Sequence, residues 1–115
     1  MMRITKQTHG QILVLALSGK MDTAAADRVQ KSLLESVRDA QGQVILDASN
    51  LKYISSTGLR ILFLAAQERP NPADRIAICG LNERLRDIFV TTGFTDIFTM
   101  HESLREALAA MEEAQ

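Results

Sequence analysis

The stretch Val44-Ile45-Leu46-Asp47-Ala48 decides the fold class. Its first three residues are apolar and follow one another without polar alternation, a pattern typical of a strand that helices cover on both faces. Such strands belong to parallel sheets, whose helical crossovers lie on the two faces. We therefore expect a central, parallel strand over residues 43–48.

The chain after this strand is predicted to alternate between helices and strands. A loop at residues 49–53 precedes a helix from about residue 56 to residue 69, where Pro70 and Pro72 prevent its continuation. A second buried strand is expected at residues 74–79.

Two further helices and one short strand follow. Asn82 is placed to cap a helix that stops at Gly93, and residues 96–100 form a strand candidate. The last helix opens with a capping box formed by Ser103 and Glu106. The residues of this helix that we expect to be buried are Leu104, Ala107, Leu108 and Met111.

The chain before the central strand contains a hairpin and a helix. Residues 3–8 and 11–18 are predicted strands, joined at His9-Gly10, where glycine can adopt a positive φ. Asp22 is placed to cap the helix. Its apolar residues recur at helical spacing and are Ala26, Val29, Leu33 and Val37.

The predicted order is β-β-α-β-α-β-α-β-α, which defines an α/β fold of one domain across residues 1–115. Strands that alternate with helices imply right-handed crossovers and a mostly parallel sheet. The initial hairpin adds an antiparallel edge and makes the sheet mixed, with about four helices packed on it.

Composition restricts the classes of function. The chain has 115 residues, 46% of them apolar, which is enough for one domain with a single core. Thirteen basic and fourteen acidic residues leave a formal net charge of -1, and like charges do not form blocks. We therefore expect a protein or small-ligand partner, with no binding of nucleic acid and no membrane insertion.

Cysteine usage and hydropathy indicate the cytoplasm. Cys79 is the single cysteine and lies in an apolar run, which excludes an internal disulfide and suits a reducing compartment. The apolar run at residues 12–17 is shorter than the hydrophobic region of a signal peptide. A transmembrane helix needs about 20 apolar residues, and the sequence has no such stretch.

The candidate site lies where two connections leave the carboxyl ends of adjacent strands, the place where open α/β sheets carry functional residues. One connection is residues 19–22 and the other is residues 47–58. The second carries three consecutive hydroxyls, Ser55, Ser56 and Thr57, at a helix start. Free backbone N–H groups and the helix dipole favour an anion there, so a phosphoryl group would be accommodated.

The same residues also have structural interpretations. One of the hydroxyls could simply cap its helix, and Asp22 could do the same for another. Asp47 interrupts an apolar strand, so we expect its carboxylate to accept hydrogen bonds from backbone N–H groups of the following loop rather than to act in catalysis. His9 and His101 have no partner at metal-ligand spacing, and no metal site is predicted.

The helix after the hydroxyls is apolar on more than one side. Its expected core-facing stripe consists of Leu59, Leu62, Phe63 and Ala66. Ile61 and Leu64 point roughly the other way, which favours a docking surface. The alternative is that neighbouring helices cover both residues, since a helix that is apolar on most sides is often buried.

Enzyme signatures are absent. The sequence lacks the GxxxxGK[ST] loop, the GxGxxG turn, the GxSxG elbow and the CxxC pair. A hydrolase built on Ser56 and Asp47 would lack a base, because neither histidine lies in a segment expected at that end of the sheet. We therefore predict a chain that is not an enzyme and needs no cofactor.

Taken in order, the motifs of this chain resemble those of STAS domains, the family of anti-sigma-factor antagonists. The motifs that carry the resemblance are LSGKMD (17–22), VILD (44–47), YISSTGLR (53–60), IAICG (76–80), LRDIF (85–89), TGF (92–94), IF (97–98) and SLREAL (103–108). They cover nearly the whole chain.

This resemblance implies partner switching. In the family, an anti-sigma factor that is also a serine kinase phosphorylates the residue before the loop glycine, which by position is Thr57, with Ser56 as the second choice. The unphosphorylated antagonist binds that kinase, which brings its own nucleotide and magnesium, and a metal-dependent serine phosphatase resets the phosphorylated form. The family's loop aspartate is replaced here by Ser55.

The resemblance also implies a partner-binding surface around the loop. Its residues are Asp22, Ser55, Ser56, Thr57, Gly58, Arg60, Ile61 and Leu64. The alternative is a STAS adaptor subunit that holds a transporter or signalling complex together without phosphorylation.

Overall fold

The computed structural model describes residues 2–114 and has the predicted order of strands and helices. Its elements are β1 (Arg3–His9), β2 (Ile12–Met21), α1 (Thr23–Asp39), β3 (Val44–Ile54), α2 (Ser56–Gln67), β4 (Ala77–Cys79), α3 (Glu83–Thr91), β5 (Thr99–His101) and α4 (Leu104–Ala114). Short 3-10 helices at Pro72–Asp74 and Phe94–Asp96 precede β4 and β5.

The strands form one mixed sheet in the order β1-β2-β3-β4-β5. β1 pairs with β2 antiparallel, and the other neighbours pair in parallel. The hairpin turns at Gly10, whose φ of 62° lies in the left-handed region that favours glycine. The predicted antiparallel edge and the central, parallel position of β3 are both confirmed.

The two faces of the sheet carry unequal helical layers. α1, α2 and α3 enclose the main core on one face, where the registered neighbours Leu15, Leu46 and Ile78 are fully buried. α4 packs on the other face against β3, β4 and β5, over a smaller cluster that includes Ile45 and Ala77. Successive residues of the β3 apolar run are therefore all buried, because they face different layers.

Several strand boundaries differ from the predicted ones, and β2 continues to Met21 rather than ending at residue 18. Residues 49–53 are not a loop but continue β3, because their backbone pairs with the end of β2 up to Met21. The last two strands begin at Ala77 and Thr99, later than expected, since 3-10 turns precede them.

The buried side of α2 also differs from the predicted stripe. Its buried residues are Gly58, Ile61, Leu62 and Ala65. The prediction that Ile61 points outward is wrong, because α1 packs on this side of α2 and Ile61 is fully buried. Leu64 is half-buried, and Phe63, a predicted member of the core-facing stripe, is 40% exposed.

Candidate functional site

β2 and β3 bring the two predicted site segments together. Met21 lies beside Ile54 in the parallel register. The Met21 carbonyl accepts a hydrogen bond from the Ser55 N–H at 2.9 Å. Asp22 and Ser55 therefore begin α1 and α2 side by side at the carboxyl edge of the sheet.

Asp22 and Ser55 both act as helix caps. The Asp22 Oδ1 accepts a hydrogen bond from the Ala25 N–H at 2.9 Å. The Ser55 Oγ accepts one from the Gly58 N–H at 3.1 Å, and Ser55 is only 8% exposed. Of the three consecutive hydroxyls, Ser55 is thus the one that has the structural role.

Ser56 and Thr57 are the first two residues of α2. Ser56 is exposed and Thr57 is half-buried. Neither hydroxyl forms a hydrogen bond with another residue in the part of the chain that the structure describes. The first turn of α2 has no acidic residue, so no side chain of that turn offsets the positive end of the helix dipole. Both hydroxyls are therefore chemically available beside a site that favours negative charge.

Gly58 lets α2 begin in contact with the sheet. A Cβ atom at this position would lie 2.7 Å from the Ile54 Cγ1 and 3.1 Å from the Met21 carbonyl oxygen. Its φ is not positive, so the requirement for glycine is one of space. A larger residue would push the helix start, with its hydroxyls, away from the edge of the sheet.

Asp47 has the predicted structural role. Its Oδ1 accepts hydrogen bonds from the Ser49 N–H at 3.0 Å and from the Ser49 hydroxyl at 2.6 Å. The Cys79 Sγ donates to the same oxygen at 3.8 Å. Burial, and then the neighbouring Asp47 carboxylate, raise the pKa of the Cys79 thiol to about 12. Asp47 thus links neighbouring residues inside β3 and the adjacent β4, whereas the hydroxyls of Ser56 and Thr57 lie beyond the carboxyl edge of the sheet.

The surface around the hydroxyls carries several basic side chains, the exposed Asp22 carboxylate and an exposed aromatic ring. Lys20, Lys52 and Arg60 are all exposed, and Tyr53 is 46% exposed. Sequence reasoning identified Arg60 but missed Lys20, Lys52 and Tyr53 as site residues. Their position immediately before the two capped helix starts is the signal that could have found them.

Residues 2–114 contain neither a cluster of metal-ligating side chains nor a membrane-spanning helix. No group of three or more His, Cys, Asp and Glu side chains there could hold a metal ion. No helix in that range is long and apolar enough to cross a membrane.

Fold and loop together define a small α/β domain that offers free hydroxyls at a helix start. The chain belongs to the STAS domain family, whose sequence model matches residues 3–107. It is 31% identical to BtrV of Bordetella bronchiseptica, which is named as a candidate anti-sigma factor antagonist, over 98% of this chain and 97% of that protein.

Solved structures of similar overall fold include the following two. An anti-sigma factor antagonist from Mycobacterium paratuberculosis has a TM-score of 0.84 and 22% identity, and the match covers 96% of this chain and 93% of that one. The Bacillus cell fate determinant SpoIIAA in its phosphorylated form has a TM-score of 0.71 and 16% identity, covering 96% and 99%. These likenesses confirm the predicted mixed sheet with its N-terminal hairpin and four helices.

Proposed function

We propose that this chain is an anti-sigma factor antagonist that acts by partner switching. In its unphosphorylated form the hydroxyl loop binds a serine-kinase anti-sigma factor. Phosphorylation of Thr57, or of Ser56 as the second choice, releases that kinase, and a metal-dependent serine phosphatase restores the binding form. The chain acts in the cytoplasm as one domain and is the substrate of the kinase rather than an enzyme.

The observation that carries this proposal is the division of roles at the start of α2. Ser55 already caps the helix, so a phosphate on either of the next two hydroxyls leaves the cap in place. The helix N-terminus also favours the added negative charge. The name of the relative BtrV supports the same role, as does the description of the fold neighbour SpoIIAA in phosphorylated and unphosphorylated forms.

Electrostatics explains why phosphorylation would act as a switch. A phosphate adds about −1.5 to −2 charges at neutral pH. An unpaired charge forced into an interface disfavours binding by roughly 2–5 kcal/mol. This penalty corresponds to a loss of affinity between about 30-fold and several thousand-fold. The fold itself need not change for the partner to dissociate.

A binding experiment tests the proposal. Wild-type and Thr57→Glu chains serve as baits for the kinase in lysate of the native cell, and phosphate is mapped on the wild-type bait. We expect the wild type to recover a serine-kinase anti-sigma factor and to carry phosphate on Thr57 or Ser56. The Thr57→Glu chain should bind the purified kinase at least about tenfold more weakly.

Thr95→Glu is the matched control, because Thr95 is an exposed threonine away from the loop. It should bind the kinase like the wild type. If the Thr57→Glu chain binds equally well, a switch at Thr57 is contradicted. Recovery of the same transporter or scaffold by all three baits, with no phosphate, would establish the adaptor role instead.

A further inference from the structure

One face of the sheet is only partly covered. α4 packs on β3, β4 and β5, and the cluster beneath it includes β2 only at Ile12 and Val14. Six of the seven residues of β1 are exposed, and Lys20 near the end of β2 is exposed as well. The hairpin side of this face is therefore open to solvent.

The strand register identifies the residues of this surface, which we call the open face. Its members are Arg3, Ser18, Lys20, Asn50 and Tyr53. Because Leu17 and Met21 are buried in the main core, the alternation of β2 directs Lys20 to the opposite side. Lys20 lies beside Tyr53 in the register, and Ser18 lies between Arg3 and Asn50.

The charged members of the open face, Arg3 and Lys20, are both positive. β1 and β2 contain no acidic residue. The only carboxylate of β3 is Asp47, whose Oδ1 is held by hydrogen bonds from Ser49 and Cys79, away from the hydroxyl loop. Among residues 2–114, no salt bridge involves Arg3 or Lys20.

The open face is also continuous with the hydroxyl loop. Lys20 immediately precedes Met21, whose carbonyl accepts the hydrogen bond from the Ser55 N–H. Tyr53 lies two residues before Ser55 on the neighbouring strand. A protein that contacts Ser56 and Thr57 can therefore extend across this edge without a break in the surface.

We propose that the open face is a second contact surface for the kinase and binds an acidic segment of it. Arg3 and Lys20 pair with carboxylates of that segment, and Tyr53 supplies an aromatic contact between the cations and the loop. This inference rests on the proposed function, because it assigns the partner that the hydroxyl loop binds. Exposed cations at the rim of an interface act mainly by steering association, so reversing their charge should slow association more than it speeds dissociation.

The experiment compares charge reversals on the two sides of the same hairpin. The test variant is Arg3→Glu/Lys20→Glu, with Lys20→Glu alone as the single change. Lys6→Glu is the matched control, since Lys6 is an exposed β1 lysine that registers with core-facing Leu15 and lies against α1 on the other face. Association and dissociation rates with the purified kinase are measured at low and physiological salt, and circular dichroism verifies folding.

We expect the double variant to associate about tenfold more slowly at low salt, with a weaker salt dependence than the wild type. The neutral variant Arg3→Gln/Lys20→Gln should show an intermediate loss, which provides a second measurement if the reversed charges disturb folding. Lys6→Glu should stay within about twofold of the wild type.

Other outcomes separate this inference from the proposed function. If the double variant matches Lys6→Glu while Thr57→Glu abolishes binding, the open face is not a contact and the proposed function stands. If the wild type does not bind the kinase at all, both fail. A DNA or RNA oligonucleotide that binds the wild type but not the double variant would assign the face to nucleic acid and overturn the inference.

Discussion

At the scale of residues, neighbouring hydroxyls at the start of α2 have different tasks. Ser55 is buried, and its Oγ accepts a hydrogen bond from the Gly58 N–H. Ser56 and Thr57 do not cap the helix. Serine and aspartate are about equally good N-caps. Replacement of the family's loop aspartate by Ser55 therefore keeps the helix cap while it removes a negative charge beside Ser56 and Thr57.

Replacing Ser55 and Ser56 one at a time shows which of them caps α2. Ser55→Ala leaves the Gly58 N–H without its partner and should lower the free energy of unfolding by about 0.5–2 kcal/mol. Ser56→Ala, at the adjacent exposed position, should change it by no more than about 0.5 kcal/mol. Urea denaturation measures both. Equal effects of the two substitutions would contradict the assigned cap.

The Cys79 thiol should be unreactive in the folded protein. Its pKa is raised to about 12, so very little of it is thiolate at pH 8. An aromatic disulfide reagent should label it slowly without urea and rapidly in urea. Equal labelling rates would show that the thiol is accessible.

The raised Cys79 pKa also has a consequence for stability. A free cysteine has a pKa of about 8.5, so the folded chain holds this proton more tightly than the unfolded chain does. Stability from this difference is therefore present below about pH 8.5 and is lost as the pH rises towards 12.

At the scale of elements, the Arg69 side chain hydrogen-bonds the end of α1 to the segment that follows α2. Its Nη1 donates to the carbonyls of Val37 at 3.0 Å and Ala40 at 3.2 Å, and its Nη2 donates to that of Gly42. Its Nε donates to the Asp74 carbonyl at 3.1 Å. A single guanidinium beyond α2 thus satisfies carbonyl groups at the end of α1 and in the turn before β4.

Loss of this guanidinium should weaken the fold more than loss of an exposed one. Arg69→Ala leaves several carbonyls without their charged donor and should lower the free energy of unfolding by about 2–4 kcal/mol. Hydrogen exchange should also accelerate at the end of α1. Arg75→Ala is the control, because Arg75 is exposed and, within residues 2–114, its guanidinium does not bridge carbonyl groups as that of Arg69 does. An equal loss in both variants would show that Arg69 does not hold these elements.

Helix starts could be predicted from the sequence better than strand ends, because each helix cap and its partner lie close together in the chain. Asp22, Asn82 and Ser103 each accept a hydrogen bond from a backbone N–H three residues further on, so the cap and its partner lie within one short segment. The end of β3 depends instead on pairing with β2. Ser49, Asn50 and Lys52 are polar residues typical of a loop, and only pairing with β2 makes this segment a strand.

At the scale of the whole molecule, one helix covers a full core cluster. Ala107 and Met111 of α4 pack with apolar residues of β2, β3 and β4 on the face away from the main core. These residues are Ile12, Val14, Ile45, Ala77 and Cys79. The fold therefore depends on its last helix although the central sheet is complete without it.

Removal of α4 should abolish cooperative folding. Each large apolar side chain that loses its cover forfeits about 1.5–3 kcal/mol, and the sum over this cluster is comparable with a typical total stability of about 5–15 kcal/mol. A chain that lacks residues 103–115 should show no cooperative thermal transition. A chain that lacks only residues 113–115 keeps Met111 and should melt like the wild type. A cooperative transition in the shorter chain would contradict this dependence.

Sequence by itself determined whatever depends on short-range physics: the order of the elements, the central position of β3, the helix caps and the family motifs around Thr57. Only the tertiary structure decided that Ile61 is buried, that Phe63 is exposed and that the hairpin side of one face stays open. Those outcomes depend on how α1 packs on α2 and on how far α4 reaches across the sheet. Such contacts join segments that are distant in the chain, so no local pattern specifies them.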